Sequence, residues 1–158
     1  MSQTFLVGVA VALCLTLPSP SGEESQKMIR AAGTFDVKLT PQPLVDQSDP
    51  LLGRMSIEKQ FQGDLAGTSR AEMLAARTSI ENSAGYVAIE KVTGTLGGKK
   101  GSFVLQHSGS MNRGEQHLEV TIVPDSGTGE LVGITGTMSI RQEGGKHYYE
   151  LLYSIGRP

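Results

Sequence analysis

The chain has 158 residues, a net charge of -2, and 38% hydrophobic against 19% charged residues, which is the profile of one ordinary folded domain. This balance excludes a disordered chain, and the absence of a basic excess excludes a nucleic-acid partner. The single cysteine, Cys14, excludes a disulfide framework and a cysteine-rich zinc site.

The N-terminal residues 1–21 carry no charged side chain. Their apolar run, Phe5–Leu17, is shorter than the roughly 20 residues of a membrane span but typical of a secretory signal peptide. Ser19 and Ser21 are small residues suited to cleavage before Gly22, and residues 22–28 would then form a linker. We therefore expect a signal peptide over 1–21, export to the periplasm or the medium, and no stable membrane span.

A second interpretation of the same segment is that translation starts at Met28 and that residues 1–27 are a spurious extension. It is favoured by the lack of Lys or Arg in residues 1–4, where a signal peptide has a basic start. The protein would then be cytoplasmic. Both interpretations place the folded domain at residues 29–158.

Alternation of apolar and polar residues predicts β-strands along the whole domain. Phe35, Val37 and Leu39 form the apolar side of the first strand, which ends at Pro41 because proline cannot donate to a ladder. The later strands are predicted at residues 55–62, 86–96, 103–108, 118–122, 132–141 and 148–155. Gly144-Gly145 is a hairpin signal between the last two strands.

The segment Ser69–Ala76 is ambiguous. Ser69 with Glu72 forms a helix capping box, and the alanines, Met73 and Leu74 favour a helix, which is the prediction from local sequence. A strand is the alternative, because the segment lies between two strands joined by short glycine turns. With that strand the domain has eight regularly spaced strands, which is typical of a sandwich or a closed barrel.

Several stretches of the domain carry a resemblance to known barrels. The segment Gly127–Gly136 resembles the Gly-Thr-Gly signature of the allene-oxide-cyclase and dirigent barrels. From Met28 to Ile155 the chain resembles a mostly bacterial family of small allene-oxide-cyclase-like barrels that has no established activity. The matching stretches are Gly33–Phe35, Gly63–Thr68, Gly85–Glu90, Gly101–His107 and Val123–Gly129.

This resemblance implies an all-β fold, a single eight-stranded antiparallel barrel over about residues 29–157. It moves Ser69–Ala76 to a strand and favours a start at Met28. It implies no function, and the catalytic residues of the cyclase and dirigent relatives have no counterpart that we can place here. A structural turn motif is expected from the following residues: Gly127, Thr128, Gly129, Gly133 and Gly136.

Motifs for known cofactors are absent from the sequence, so we expect no cofactor. The glycine-rich, basic stretch Gly94–Gly101 could be taken for a phosphate loop. It lies between two predicted strands with no helix N-terminus to supply converging amide groups, so we interpret it as a hairpin.

His107 and His117 flank the turn at Asn112-Arg113-Gly114 and could lie nearly opposite each other, with Glu119 on the face of His117. Two imidazoles and a carboxylate could hold a metal ion. Their spacing matches no established ligand motif, however, and a register slip of one residue would separate them. We therefore predict no metal and keep these three residues as an alternative.

The lumen of an eight-stranded barrel is either filled or holds one small ligand. Polar residues that interrupt apolar faces are the candidates for contacting such a ligand. They are Lys59, Glu90, Gln106, His107, Tyr149 and Glu150. The alternative is that these residues lie at strand ends or face solvent, as most charged residues do.

Three functions remain open from the sequence. The first is a module that binds a small apolar or amphipathic molecule in its lumen. The second is an enzyme, such as an isomerase or cyclase acting on a lipid-like substrate. The third is a structural or self-associating domain without a ligand. Apolar residues on both faces of several strands, for example Leu151 and Leu152, favour a homo-oligomer.

Overall fold

The computed structural model describes residues 27–45 and 48–156. The predicted leader, its cleavage site before Gly22 and Cys14 lie outside the described residues. The strands are β1 (Ile29–Gln42), β2 (Leu52–Gly63), β3 (Leu65–Arg77), β4 (Ala84–Leu96), β5 (Lys99–Asn112), β6 (Glu115–Ile122), β7 (Thr128–Gly129), β8 (Ile134–Glu143) and β9 (Lys146–Ile155).

Eight of these strands form one closed antiparallel barrel. Strands β1 to β6 follow one another as neighbours, β6 pairs with β8, β8 with β9, and β9 returns to β1. The two-residue strand β7 is additional and pairs with β5 at Gly101 and Ser102. The prediction of an eight-stranded all-β barrel is therefore confirmed. Closure matters because it leaves no long sheet edge unpaired.

The helix predicted over Ser69–Ala76 from local sequence is wrong, since this segment lies within β3. Ser69 is paired on one side with Lys59 of β2 and on the other with Val92 of β4. Pairing on both sides satisfies the backbone groups of the segment, and this tertiary context outweighs a weak helix propensity. Across the described ranges, 27–45 and 48–156, no helix is long and apolar enough to cross a membrane.

One end of the barrel is filled by apolar side chains. Strand alternation turns one side of each strand toward the lumen, and at this end the inward side chains are almost completely buried. They are Phe61, Leu65, Leu96, Phe103, Leu131, Ile134, Leu151 and Tyr153. Leu131 comes from the turn after β7, so the additional strand helps to close this end.

A pair of glycines allows β3 and β4 to approach closely near the filled end. Gly67 lies opposite Gly94 in the register. A Cβ at position 67 would lie 2.3 Å from the carbonyl oxygen of Thr93, and one at position 94 would lie 2.3 Å from that of Ala66. No side chain fits at such distances, so both positions require glycine.

We predict that Gly67→Ala destabilises the barrel by about 1–3 kcal/mol, because the added methyl group forces the two strands apart. The matched control is Gly53→Ala in β2, where an added Cβ meets no atom within 4 Å. The measurement is the free energy of unfolding in urea. Equal stability of the two variants would contradict this account of the close approach.

Candidate functional site

The second end of the barrel is open. Inward-facing side chains there are only partly buried or exposed, in contrast to the filled end; Leu39 is 48% and Leu118 is 40% exposed. Strands β3 to β6 form a cavity of about 310 Å³ on the inner wall of this end. Its lining includes Met73, Ala75, Tyr86, Gly109, Met111 and Leu118. A mostly apolar concave surface of this size is typical of a small-molecule site.

A cluster of charged side chains lies inside the barrel, two residues beyond the cavity lining along β5. The side chains of Lys59, Glu90 and His107 are 7%, 1% and 6% exposed. The Glu90 carboxylate accepts a hydrogen bond from Lys59 Nζ at 2.6 Å and lies 2.8 Å from His107 Nε2. Its second oxygen accepts a bond of 2.5 Å from the Ser69 hydroxyl. Four strands, β2 to β5, therefore contribute to one cluster.

The Glu90 carboxyl group is ionised in this environment. Burial raises its pKa. Four interactions act in the opposite direction: the hydrogen bond from His107, the positive charge of Lys59, and the hydrogen bonds from Lys59 and Ser69. Together they outweigh burial and lower the pKa from 4.5 to about 2. An ionised carboxylate only accepts hydrogen bonds, so Nε2 of His107 carries the hydrogen of their bond. In a neutral His107 ring, Nδ1 then keeps its lone pair.

Aromatic rings lie beside the Lys59 ammonium. Nζ is 4.9 Å from the ring centre of Phe35 and 5.8 Å from that of Phe61. Phe61 in turn contacts Tyr149 edge to face, with 5.5 Å between ring centres. The Tyr149 hydroxyl accepts a hydrogen bond of 2.8 Å from the Leu65 amide. Cation–π contacts and the ion pair together stabilise the buried positive charge.

Four of the six candidate residues from the sequence face the interior: Lys59, Glu90, His107 and Tyr149. Gln106 and Glu150 instead belong to the outer side. Gln106 is exposed, and Glu150 forms an ion pair with Arg30 on the outer wall. Both follow from strand alternation, because each is adjacent to an inward residue.

The three residues kept as alternative metal ligands, His107, His117 and Glu119, do not come together in the structure. The β5–β6 turn is centred between Arg113 and Gly114, so His107 lies opposite Val120, and His117 lies opposite Ser110. His117 and Glu119 are exposed, whereas His107 is buried. Direct pairing of His107 with His117 would need a turn centred on residue 112. The actual centre lies further along the chain, and this shift both moves the pairing and reverses the face. In the described ranges no group of three His, Cys, Asp or Glu residues could hold a metal ion.

Sequence reasoning missed Ser69 and the cavity residues. The capping box of Ser69 with Glu72 predicts a helix start. This prediction conceals the inward-facing positions of β3, which are Ser69, Ala71, Met73 and Ala75. In β4 the exposed side chains Val87 (56%) and Ile89 (52%) are apolar, so they conceal that Tyr86 lies on the inner side. The alternation through Tyr86, Ala88, Glu90 and Val92 was the available signal.

The glycine-rich segments occupy turns. Gly97 and Gly98 have φ values of +55° and +84° and form the two-residue turn between β4 and β5, so Gly94–Gly101 belongs to a hairpin. In the Gly-Thr-Gly segment, Gly129 and Gly133 also have positive φ. The Thr128 hydroxyl accepts a 3.0 Å hydrogen bond from the Ser102 amide, which ties this segment to β5.

Fold and site together define a small closed β-barrel with one filled end, one open end and a buried ionic cluster between them. Residues 31–153 match the family described as "Protein of unknown function (DUF3224)". The chain belongs to this family.

Solved structures include a similar protein. The crystal structure of a DUF3224 protein of unknown function from Shewanella oneidensis MR-1, at 1.84 Å resolution, is 47% identical in sequence and superposes with a TM-score of 0.79. The alignment covers 84% of this chain and 100% of the other. No curated protein matches the sequence.

The lowered pKa of Glu90 predicts a specific pH dependence. Because the folded-state pKa of about 2 lies below the ordinary value of 4.5, ionised Glu90 stabilises the fold above pH 4.5, and this contribution is lost as the pH falls toward 2. The pKa difference corresponds to about 3 kcal/mol. The difference in free energy of unfolding between the wild type and Glu90→Gln should therefore shrink by about this amount between pH 7 and pH 2.

The control for this prediction is Glu119→Gln, which removes an exposed carboxylate. A gap between wild type and Glu90→Gln that stays constant down to pH 2 would show that the carboxylate is not held ionised by its neighbours.

Proposed function

We propose that this protein binds a small apolar or amphipathic molecule in the open end of its barrel. The observation that carries the proposal is the cavity of about 310 Å³ lined by Met73, Ala75, Met111 and Leu118. These inward side chains are left partly exposed at this end, whereas their counterparts at the filled end are buried. Apolar surface of this kind gains free energy when a ligand removes it from water.

The composition of the lining supports an adaptable ligand site. Methionine side chains are flexible and polarisable, so Met73 and Met111 can adjust to ligands of different shape. Both are partly exposed at the open end of the barrel. A site of this kind discriminates weakly between apolar groups, and specificity then comes from the few polar atoms around it.

The test uses 1-anilinonaphthalene-8-sulfonate, an amphipathic fluorescent probe. We expect saturable fluorescence enhancement with the wild type and at least a tenfold loss of affinity in Ala75→Phe, because the ring fills the cavity. Ala66→Phe is the matched control, since Ala66 is exposed on the same strand outside the cavity. Thermal unfolding verifies that both variants are folded. Equal probe affinity in the two variants would contradict binding in this cavity.

A second function, an isomerase or cyclase acting on a lipid-like molecule, is favoured by the Glu90–His107 pair. Glu90 orients the His107 ring through Nε2, which leaves Nδ1 as a base in the neutral ring. Buried groups with a shifted pKa next to a cavity are frequent in active sites. In a separate experiment, a lipid-like compound is incubated with the protein and then recovered. Chemical alteration of the compound that is lost in His107→Gln supports this function, and recovery of the unaltered compound supports binding alone.

A third function, self-association without a ligand, is supported by the outer wall. Leu74 and Val87 are paired across β3 and β4 there, Ile89 lies next to them, and all three are at least half exposed. We propose a homo-oligomer through such apolar surface. Absence of probe binding together with a dimeric or larger mass in light scattering favours the third function, whereas a monomeric mass excludes it.

We further propose that the barrel shares its ancestry with the allene-oxide-cyclase-like barrels. Support comes from the closed eight-stranded architecture and from the glycine turns around Gly129 and Gly133. A superposition that reproduces strand order and register would support this relation, and a different strand order would contradict it.

A further inference from the structure

Tyr86 occupies a defined place in the cavity because of Gly109. The two residues are paired across β4 and β5, and both line the cavity. A Cβ at position 109 would lie 2.2 Å from Cε1 of the Tyr86 ring and 2.7 Å from Cζ. The ring therefore lies against the bare backbone of Gly109, and any larger residue there would displace it.

The Tyr86 hydroxyl is available to a ligand. Among the described residues, no side-chain or backbone group forms a hydrogen bond with it, in contrast to the Tyr149 hydroxyl, which binds the Leu65 amide. Burial, with a smaller contribution from the negative charge of Glu90, raises the pKa of Tyr86 above its ordinary value of 10.0. The hydroxyl therefore keeps its proton at neutral pH and can donate a hydrogen bond to an acceptor.

The rim of the cavity carries one permanent charge. Arg77, the last residue of β3, is the only Lys, Arg, Asp or Glu among the described residues that line the cavity, and it is exposed. Within the described part of the chain, its guanidinium forms no ion pair, whereas Arg30, Arg54, Arg70 and Arg141 each have a glutamate partner. An arginine without a carboxylate partner at the edge of an apolar cavity favours an anionic oxygen.

We propose that the ligand is an organic anion and that Tyr86 and Arg77 determine the specificity for it. The carboxylate of this ligand accepts hydrogen bonds from the Tyr86 hydroxyl and the Arg77 guanidinium. Its apolar body contacts Met73 and Met111. This inference rests on the proposed function, since it names the ligand class of the same cavity. The two donors explain how a methionine-rich cavity can discriminate: the apolar body contributes affinity, and the head group decides which molecules stay bound.

The test compares decanoate with decylammonium, which share a chain length and differ in head-group charge. Each is titrated by calorimetry at pH 7 below its micelle concentration. We expect the wild type to bind decanoate at least tenfold more tightly than decylammonium. Tyr86→Phe should weaken decanoate binding about tenfold, because the carboxylate loses a hydrogen-bond donor, and should thereby reduce the preference for decanoate over decylammonium. Arg77→Gln should act in the same direction.

Tyr148→Phe is the matched control, because Tyr148 lies outside this cavity, stacked on Arg141, and it should bind decanoate like the wild type. Gly109→Ala should weaken binding of both compounds, because the displaced ring occupies the cavity. Far-ultraviolet circular dichroism verifies that each variant is folded.

Failure of this inference is distinguishable from failure of the proposed function. One outcome is that the wild type binds both compounds equally and that Tyr86→Phe changes neither affinity. The cavity then binds apolar chains, but Tyr86 and Arg77 do not select the head group. This outcome overturns the inference and leaves the proposed function intact. If the wild type binds neither decanoate, decylammonium nor the anilinonaphthalene probe, the proposed function fails and the inference fails with it.

Discussion

The interior of this barrel depends on the hydrogen bonds and the ion pair that the buried Glu90 carboxylate forms with its neighbours. It lies almost completely out of contact with water and binds groups from three other strands: the Lys59 ammonium, the His107 ring and the Ser69 hydroxyl. A buried carboxylate without partners would cost several kcal/mol, so each of these bonds is required to keep the charge in place. Because all four strands meet at this group, their relative register is fixed at one level of the barrel.

This cluster separates two halves of the lumen with different physical character. On one side, phenylalanine, leucine and tyrosine side chains form an apolar cluster that is almost completely buried. On the other side, the cavity lining includes methionine, alanine and glycine residues, which are too small or too flexible to fill the same cross-section. The cavity thus results from residue size at the open end, and the ionic cluster lies next to it without being exposed to bulk water.

A stability argument alone does not explain such a cluster. Replacing a buried ion pair by well-packed apolar side chains is often neutral or stabilising, so a barrel selected only for stability would have no need of Lys59, Glu90 and His107. His107 lies two residues beyond the cavity lining along β5, and this position connects the cluster with the site. The cluster joins β3, β4 and β5, three of the four strands that form the cavity wall, and the negative charge of Glu90 contributes to the raised pKa of Tyr86.

The sequence was sufficient for the fold class and for part of the site. Alternation and glycine turns predicted most of the strands, and the resemblance to known barrels supplied the strand at Ser69–Ala76 and the closed barrel. Of the six polar candidates for the lumen, Lys59, Glu90, His107 and Tyr149 face the interior, whereas Gln106 and Glu150 face outward. Ser69 could not be placed, because its capping box with Glu72 favours a helix. Tyr86 could not be placed, because the apolar Val87 and Ile89 face outward and obscure which side of β4 is inside. The pairing of His107 depends on the centre of the β5–β6 turn, which strand patterns locate only to within a few residues.

The central claim, that one end of the lumen is a ligand cavity and the other is filled, can be tested through the methionines. Met73 and Met111 line the cavity, whereas Met138 is buried in the apolar core. The measurement is a nuclear magnetic resonance titration of methyl-labelled methionine with the anilinonaphthalene probe. The account predicts that the methyl signals of Met73 and Met111 shift with a common saturation curve while that of Met138 stays in place. Unchanged signals of Met73 and Met111 during saturable probe binding would contradict it.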